Sequence, residues 1–315
     1  MRRLLSILAA VSLLAGCLAT RSGPTGTGSF SFALIGDQQY DPAGEAGFER
    51  LMQDLNAEEL AFIVHLGDVK ASRVPCTDSL LRRRYVEFNE SRHPFVFIPG
   101  DNEWTDCHRA GGDPLLQLDR LREVFYKDKE TLGRSRFEVE RQSADSAFAE
   151  FSENVRWRGG DVLFVTAHVV GSNNNLGRAP EADAEHARRT RAVLAWLEDS
   201  FRIAREPDVR AVLIAMHANP FVGPSQQPKG FSLILERLQT LVSATTIPVV
   251  LVHGDTHRCR IDHPLVDSAR GDTMWHFTRV EVFGDPFSHW IRGSVDPQNP
   301  TVFEFEPVLV AGNPE

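Results

Sequence analysis

Six apolar runs recur along the chain, and each ends on a polar residue: SFSFALIGD (29–37), AFIVHLGD (61–68), PFVFIPGD (94–101), DVLFVTAH (161–168), RAVLIAMH (210–217) and IPVVLVHGD (247–255). Runs with little polar alternation are those of strands buried on both faces. Helical periodicity lies between them. Phe48, Leu51, Met52 and Leu55 share one stripe, Asp113-Pro114 opens a second helix as an N-cap and first-turn proline do, and a third runs over about 182–205 with Ala192, Trp196 and Leu197 on one face. Alternating strands and helices predict an α/β fold. At the end, FTRVEVF (277–283), HWIRGSV (289–295) and TVFEFEP (301–307) read as consecutive strands, forming an antiparallel edge or a second sheet packed on the first. The polar stretch 127–160 reads as an insertion that covers the site, so 29–315 is expected to be one domain.

Composition narrows the class. With 315 residues, 42% hydrophobic and 24% charged, the chain has enough apolar content for one large core, which excludes disordered and repeat architectures. A net charge of −9 makes nucleic acid a disfavoured partner. The N-terminus has its own pattern. Arg2 and Arg3 precede an apolar run from Leu4 to Leu14, the n-region and h-region of an export signal and too short to span a bilayer. Leu14-Ala15-Gly16-Cys17 then resembles a bacterial lipobox, in which the cysteine is lipidated and becomes the mature N-terminus. Residues 1–16 are thus expected to be a lipoprotein signal peptide and 17–28 a flexible tether, with the protein exported and membrane-anchored only through lipid, on the periplasmic side or cell surface. Three cysteines remain beyond Cys17. Cys76 and Cys107 each follow a Gly-Asp strand end, so their loops emerge on one face and are expected to be joined by a disulfide, leaving Cys259 over.

The candidate chemistry sits on the strand tips: Asp37-Gln38-Gln39, Asp68, Asp101-Asn102-Glu103, His217 and His253-Gly254-Asp255-Thr256-His257. Singly, each is ordinary turn chemistry or a core histidine. Collectively they place carboxylates and imidazoles where α/β sheets gather ligands, at the carboxyl ends of strands. Side chains two apart, such as Asp37 and Gln39 or Asp255 and His257, reach one centre when the chain leaves a strand through a turn. Asp68, alone on its strand, is placed to bridge two ions.

That order resembles the calcineurin-like metallophosphoesterases, whose pattern is D-x-H, GD, GNH[DE], a lone H, then GHxH. The match spans residues 36–258. The resemblance implies a double β-sandwich flanked by helices, two divalent metals about 3.5–4 Å apart and a metal-bridging hydroxide that attacks phosphorus. It assigns Asp37, Gln39, Asp68 and His257 to one metal, and Asp68, Asp101, His217 and Asp255 to the other.

Four positions depart from the family pattern. Gln39, Asp101 and Asp255 replace His, Asn and His at ligand positions, and all three offer oxygen. The resulting set carries four carboxylates and suits hard ions, manganese or magnesium, with iron possible and zinc less suited. The fourth departure removes the family's proton donor, because Asn102 stands where a histidine helps the leaving group. His253 and His108 are the candidate replacements, although His253 also competes with Asp255 as a ligand; Lys70 is a candidate contact for phosphate oxygens, and Asn102 a candidate catalytic-site and substrate contact. GSNNN (171–175), Trp104, Trp157 and Arg156 are candidate substrate contacts whose plainer roles are turn formation and packing. The expected substrate is a small phosphomonoester, phosphodiester or diphosphate. The loss of the family histidine motivates a different reading, a catalytically silent, metal-stapled lipoprotein that binds a partner or phosphorylated ligand. A nuclease is argued against by the acidic balance, and nothing in the sequence indicates an oligomeric state.

Overall fold

The computed structural model describes residues 23, 28–222, 229–267 and 270–314. Cys17, the lipobox and nearly all of the tether lie outside the described residues. In chain order the strands are β1 (Phe30–Ile35), β2 (Ile63–His65), β3 (Phe95–Phe97), β4 (Glu140–Arg141), β5 (Val155–Gly159), β6 (Val162–Thr166), β7 (Ala211–Ala215), β8 (Val249–His253), β9 (Arg260–Asp262), β10 (Phe277–Glu281), β11 (Trp290–Val295) and β12 (Phe303–Val308). They form two sheets, one ordered β12-β11-β1-β2-β3 and the other β4-β5-β6-β7-β8-β10-β9. β1, β2 and β3 run parallel, as do β6, β7, β8 and β10, so both sheets send several carboxyl ends the same way.

The apolar runs are continuous because both faces of these strands are covered. On β1, Phe32 and Leu34 point into the space between the sheets, where they meet Phe62, Val64, Trp157, Phe164, Leu213 and Val252. Ala33 and Ile35 point the other way, onto Phe48, Leu51, Leu55, Phe88 and Leu121 of the outer helices. The second sheet repeats the arrangement: Leu163, Val165, Ile214 and Leu251 pack outward on Val193, Trp196, Leu197, Ile234 and Leu238. Two sheets face to face with helices outside both give four layers.

The helix signals act as read. Asp41 accepts from the Gly44 amide to open helix Pro42–Ala57, and Asp113 accepts from Leu115 and Leu116 to open helix Pro114–Phe125. Helix Pro180–Ile203 buries Ala192, Trp196 and Leu197 on one face. Among the described residues, no helix is long and apolar enough to cross a membrane.

Two expectations need correction. The three closing strands do not form one antiparallel unit: β10 joins the larger sheet parallel to β8, while β11 and β12 add antiparallel to β1 in the smaller one. The polar stretch 127–160 is built into the body rather than laid over a site. It supplies β4 and β5 to the sheet edge and buries Leu132, Phe137, Phe151, Val155 and Trp157. Its charged residues face outward, which is why it reads as polar.

Candidate metal centre

The tips of β1, β2, β7 and β8, and the turn after β3, converge at the shared carboxyl edge of the two sheets. Asp37, Asp68 and His217 each bring one ligand atom within 4.8 Å of the others, and so do Asp101, His217 and Asp255. His217 joins the two groups. It is fully buried and donates its Nδ1 proton to the Leu66 carbonyl at 2.6 Å, which ties the two sheets together. With Nδ1 committed, Nε2 faces the carboxylates, 2.9 Å from Asp101 Oδ1, 3.5 Å from Asp68 Oδ1 and 3.9 Å from Asp255 Oδ1; protonated it donates to Asp101, and deprotonated it would offer its lone pair to a cation. His257 is arranged likewise, with Nδ1 donating to the Asp285 carbonyl at 3.0 Å and Nε2 3.5 Å from Asp37 Oδ1.

Backbone strain marks the same residues. Asp37, Gln39, Asp68, Asp255 and His257 have φ of 56°, 66°, 57°, 72° and 56°. Left-handed backbone at non-glycine residues costs about 1 kcal/mol or more each, and it persists where surrounding structure enforces it. Two glycines let this happen at close quarters. A Cβ on Gly254 would lie 2.0 Å from Asp37 Oδ2, and one on Gly171 would lie 2.4 Å from Asp101 Oδ1 and 2.5 Å from Asp255 Oδ1. Buried Glu281 braces the turn carrying Asp255 and His257 by accepting from Thr256 Oγ and, at 2.9 Å, from the Arg258 amide.

The electrostatics of the cluster call for a cation. Burial, then repulsion from Asp101, pushes Asp255 up to about 7. Burial is the largest influence on Asp68 too, and with Asp101, Glu103 and Asp37 beside it the carboxyl is held well above its usual range. Burial alone would lower His217, but Asp68, Asp101 and Asp37 outweigh it and hold the imidazole well above its ordinary value. Protons are thus one way to relieve this carboxylate crowd, and divalent ions are the other. Gln39 fits the second. Its amide nitrogen donates to Glu45 and Glu87, both at 3.1 Å, while its buried Oε1 has no protein partner. The two glutamates are gripped by buried Arg84, at 2.7 and 2.9 Å, so the amide is held with its nitrogen turned to them.

The structure therefore brings together Asp37, Asp68, Asp101, His217, Asp255 and His257, with Gln39 alongside. The other candidates lie elsewhere. His253 is fully buried on β8, its Nδ1 donates to the Gly254 carbonyl at 2.8 Å, and burial, then Arg279 and Arg260, lowers its pKa to about 3. A proton donor at neutral pH is not built there, and the groups that gather ligand atoms contain Asp255 rather than His253. Asn102 is also buried, with its amide donating to the Lys70 carbonyl at 2.9 Å and to Tyr40 at 3.3 Å. It brackets the Asp68 loop and is not free for substrate. Lys70 is 1% exposed, with Nζ donating to the Ala71 carbonyl. Burial lowers its pKa and Glu103 partly restores it, so it serves as a buried counter-charge rather than an open phosphate contact. His108 is exposed on the short helical segment Thr105–Ala110, outside the ligand groups, with Nδ1 donating to the Thr105 carbonyl. Cys76 and Cys107 are disulfide-bonded with Cα atoms 5.6 Å apart, which clamps the loop after Asp68 to the loop after Asp101. Cys259 is free.

Trp104 and Trp157 are buried in packing and Arg156 lies over Trp196, so none of the three opens to a ligand. GSNNN does more than turn the chain: Ser172, Asn173, Asn174 and Asn175 are all left-handed, and Ser172 Oγ reaches Asp101 Oδ2 at 2.9 Å and Asp106 Oδ1 at 2.7 Å. Sequence reasoning missed Tyr40, whose hydroxyl donates to Asp68 Oδ2 at 2.9 Å and lies 3.3 Å from His257 Nε2. Its place three residues after Asp37 was the available signal. It also missed the Arg84–Glu45–Glu87 brace, which no spacing announces.

Neither protein-family models nor curated proteins match the chain. Solved structures do. A structure of PhoD is similar with a TM-score of 0.58 at 12% identity, covering 93% of this chain and 74% of that one. TT1561 of Thermus thermophilus is similar with a TM-score of 0.51 at 10% identity, covering 89% and 99%. At such identities the likeness speaks for architecture alone, and it agrees with the layers and strand order above: the chain has an α/β fold, a calcineurin-like double β-sandwich flanked by helices.

Proposed function

We propose that the chain is a metal-dependent phosphoesterase acting on a small phosphorylated substrate. The observation that carries this reading is the convergence of six ligand-type side chains at strand tips, four of them carboxylates and five, counting Gln39, held in left-handed backbone where only a rigid site would keep them. Asp37, Gln39, Asp68 and His257 would hold one divalent ion, and Asp68, Asp101, His217 and Asp255 the other. Such ions, when bound, supply Lewis acidity to a phosphoryl oxygen and acidify a water. The protein's part is to fix the donors: Leu66 and Asp285 orient the two imidazoles, Arg84 and its glutamates orient Gln39, and Glu281 holds the Asp255–His257 turn. Asp68 lies between the two donor sets, with Tyr40 donating to its second oxygen. Carboxylate-rich donors favour manganese or magnesium over zinc, with iron also competent.

The test is to strip the protein with chelator, reload each ion separately and measure release from 4-nitrophenyl phosphate, bis(4-nitrophenyl) phosphate and inorganic pyrophosphate. Activity restored by manganese or magnesium supports the reading. No turnover with any ion, while metal still binds, would favour the second reading, a silent metal-stapled protein. The commitment of Asn102, Lys70 and the buried His253 to other contacts is the observation behind that alternative.

We also propose export and lipid anchoring through Cys17. The Cys76–Cys107 disulfide supports an oxidising compartment. Intact-mass measurement of the mature chain from cell membranes decides it: lipid on an N-terminal Cys17 is expected, and a mature chain starting elsewhere overturns it.

A further inference from the structure

The proposed chemistry leaves two observations unused. One is that neither Asn102 nor His253 is placed to give a proton to a leaving group: Asn102 is bound to Lys70 and Tyr40, and His253 is sealed in β8. The other is a cleft of about 300 Å³ lined by Thr105, Asp106, His108, Arg109, Ser172 and Arg178, among other residues. Ser172 forms its inner wall and is the link to the metal centre, since the same Oγ contacts Asp101. Arg109 closes on it, with Nη2 3.3 Å from Ser172 Oγ and Nη1 3.2 Å from Asp106. Arg178 stands on the left-handed turn's exit and, among the described residues, donates to the neutral Asn175 Oδ1 at 3.3 Å. Both guanidiniums are exposed and retain free N–H groups for a ligand. His108, its Nδ1 turned to Thr105, adds a third polar group to the rim. Among the lining residues Asp106 is the one carboxylate, and it is already paired with Arg109 at 3.2 Å.

We propose that this cleft holds the leaving phosphoryl group of a diphosphate substrate, with Arg109 and Arg178 as its contacts. The proposal rests on the phosphoesterase reading and names its substrate class. It accounts for both observations. Hydrolysis of a phosphoanhydride forms a P–O bond to water oxygen and breaks the P–O bond to the second phosphate, which leaves with the electron pair. Water's proton passes to solvent. A departing phosphate is stabilised as an anion, so it needs guanidiniums more than it needs an acid. An alkoxide leaving group would need a proton that neither Asn102 nor His253 is placed to give. Arg109 connects to a candidate metal ligand through two hydrogen bonds, to Ser172 Oγ and from it to Asp101 Oδ2, which sets the cleft beside the centre.

The experiment uses the manganese-loaded full chain with inorganic pyrophosphate, inorganic phosphate and 4-nitrophenyl phosphate, measuring binding by calorimetry and turnover separately. Losing a charge-assisted contact is worth about tenfold or more in affinity, so Arg109→Ala and Arg178→Ala should each weaken pyrophosphate about tenfold and phosphate less than about threefold. The Lys variants should recover part of the loss. Both side chains are exposed, and circular dichroism checks that the variants fold. Equal losses for the two anions, or no loss, would overturn the cleft assignment even if 4-nitrophenyl phosphate is still hydrolysed. If pyrophosphate binds selectively through both arginines yet nothing is turned over, the cleft binds diphosphate, but its leaving-group role falls together with the phosphoesterase reading.

Discussion

His217 shows how one side chain can hold a site together. One ring nitrogen anchors to the Leu66 carbonyl across the sheet interface and the other faces three carboxylates, so the ring belongs to both ligand groups. His217→Ala is expected to remove more than half of the bound metal, measured as the metal-to-protein ratio after reloading; an unchanged ratio would contradict the assignment. Glu87→Gln tests orientation rather than ligation. It weakens the hold on Gln39, and loss of an outer partner of a ligand typically costs about 10–100-fold in metal affinity, readable by calorimetric titration. The protonation of Asp255 has a sign that can be followed. Its carboxyl is pushed up to about 7, while an unfolded aspartate titrates near 4. Between those values the folded, metal-free protein holds a proton that the unfolded chain has released, so stability falls as pH rises from about 4 to 7. His217, also raised, acts in the same direction as its own proton leaves. Metal must displace these protons, so metal binding should tighten with pH up to about 7 and release protons, detectable by titration in buffers of different ionisation enthalpy. Asp255→Asn should flatten the stability slope between pH 5 and 7 in thermal melts. The residues that meet at the strand tips were legible because chemistry sits in the residue type and its place at a strand end. Tyr40 and the Arg84 brace were not, since their meaning depends on which atoms they meet: Arg84 contacts Glu45 from 39 residues away.

At the level of elements, the loops after β2 and β3 carry Asp68 and Asp101, and the Cys76–Cys107 bond joins them across 31 residues. Closing a loop of that length removes about 3–4 kcal/mol of unfolded-state entropy. Replacing both cysteines with serine should lower stability by about that much in denaturant titration and weaken metal binding as well; loss of stability without loss of affinity would mean the clamp acts only on the unfolded chain. The turn from Gly171 to Asn175 makes a sharper case. Gly171→Ala would drive a methyl against Asp101 and Asp255, so metal affinity should fall by about tenfold or more while the fold persists, seen as unchanged circular dichroism. Strand positions were readable because apolar runs report burial on both faces. Their pairing was not, which is why β10 departs for the larger sheet while β11 and β12 pair beside β1: an apolar strand fits a parallel or an antiparallel neighbour equally well from its own sequence.

For the whole molecule, the two sheets and their outer helices make a rigid frame, and the carboxylate crowd at its edge is the part that gains most from a cation. Metal bound to the folded state alone, at about 100 times its Kd, stabilises by about 2.7 kcal/mol per site, so chelation should lower the melting temperature and manganese or magnesium should restore it. A melting temperature indifferent to chelator would argue against a resident metal. The sequence alone determined the six apolar strands that end in polar residues, the helix start at Asp113-Pro114, the order of ligand-type residues and the acidic net charge, because each follows from local chemistry or from burial averaged along an element. Tertiary structure alone decided which tips meet, that His253 and Lys70 are sealed inside, that Asn102 is a bracket and that Arg109 and Arg178 flank an open cleft. The reason is physical: burial and hydrogen-bond partners arise from packing between segments far apart in the chain, and a residue's availability for chemistry is set by those partners rather than by its neighbours in sequence.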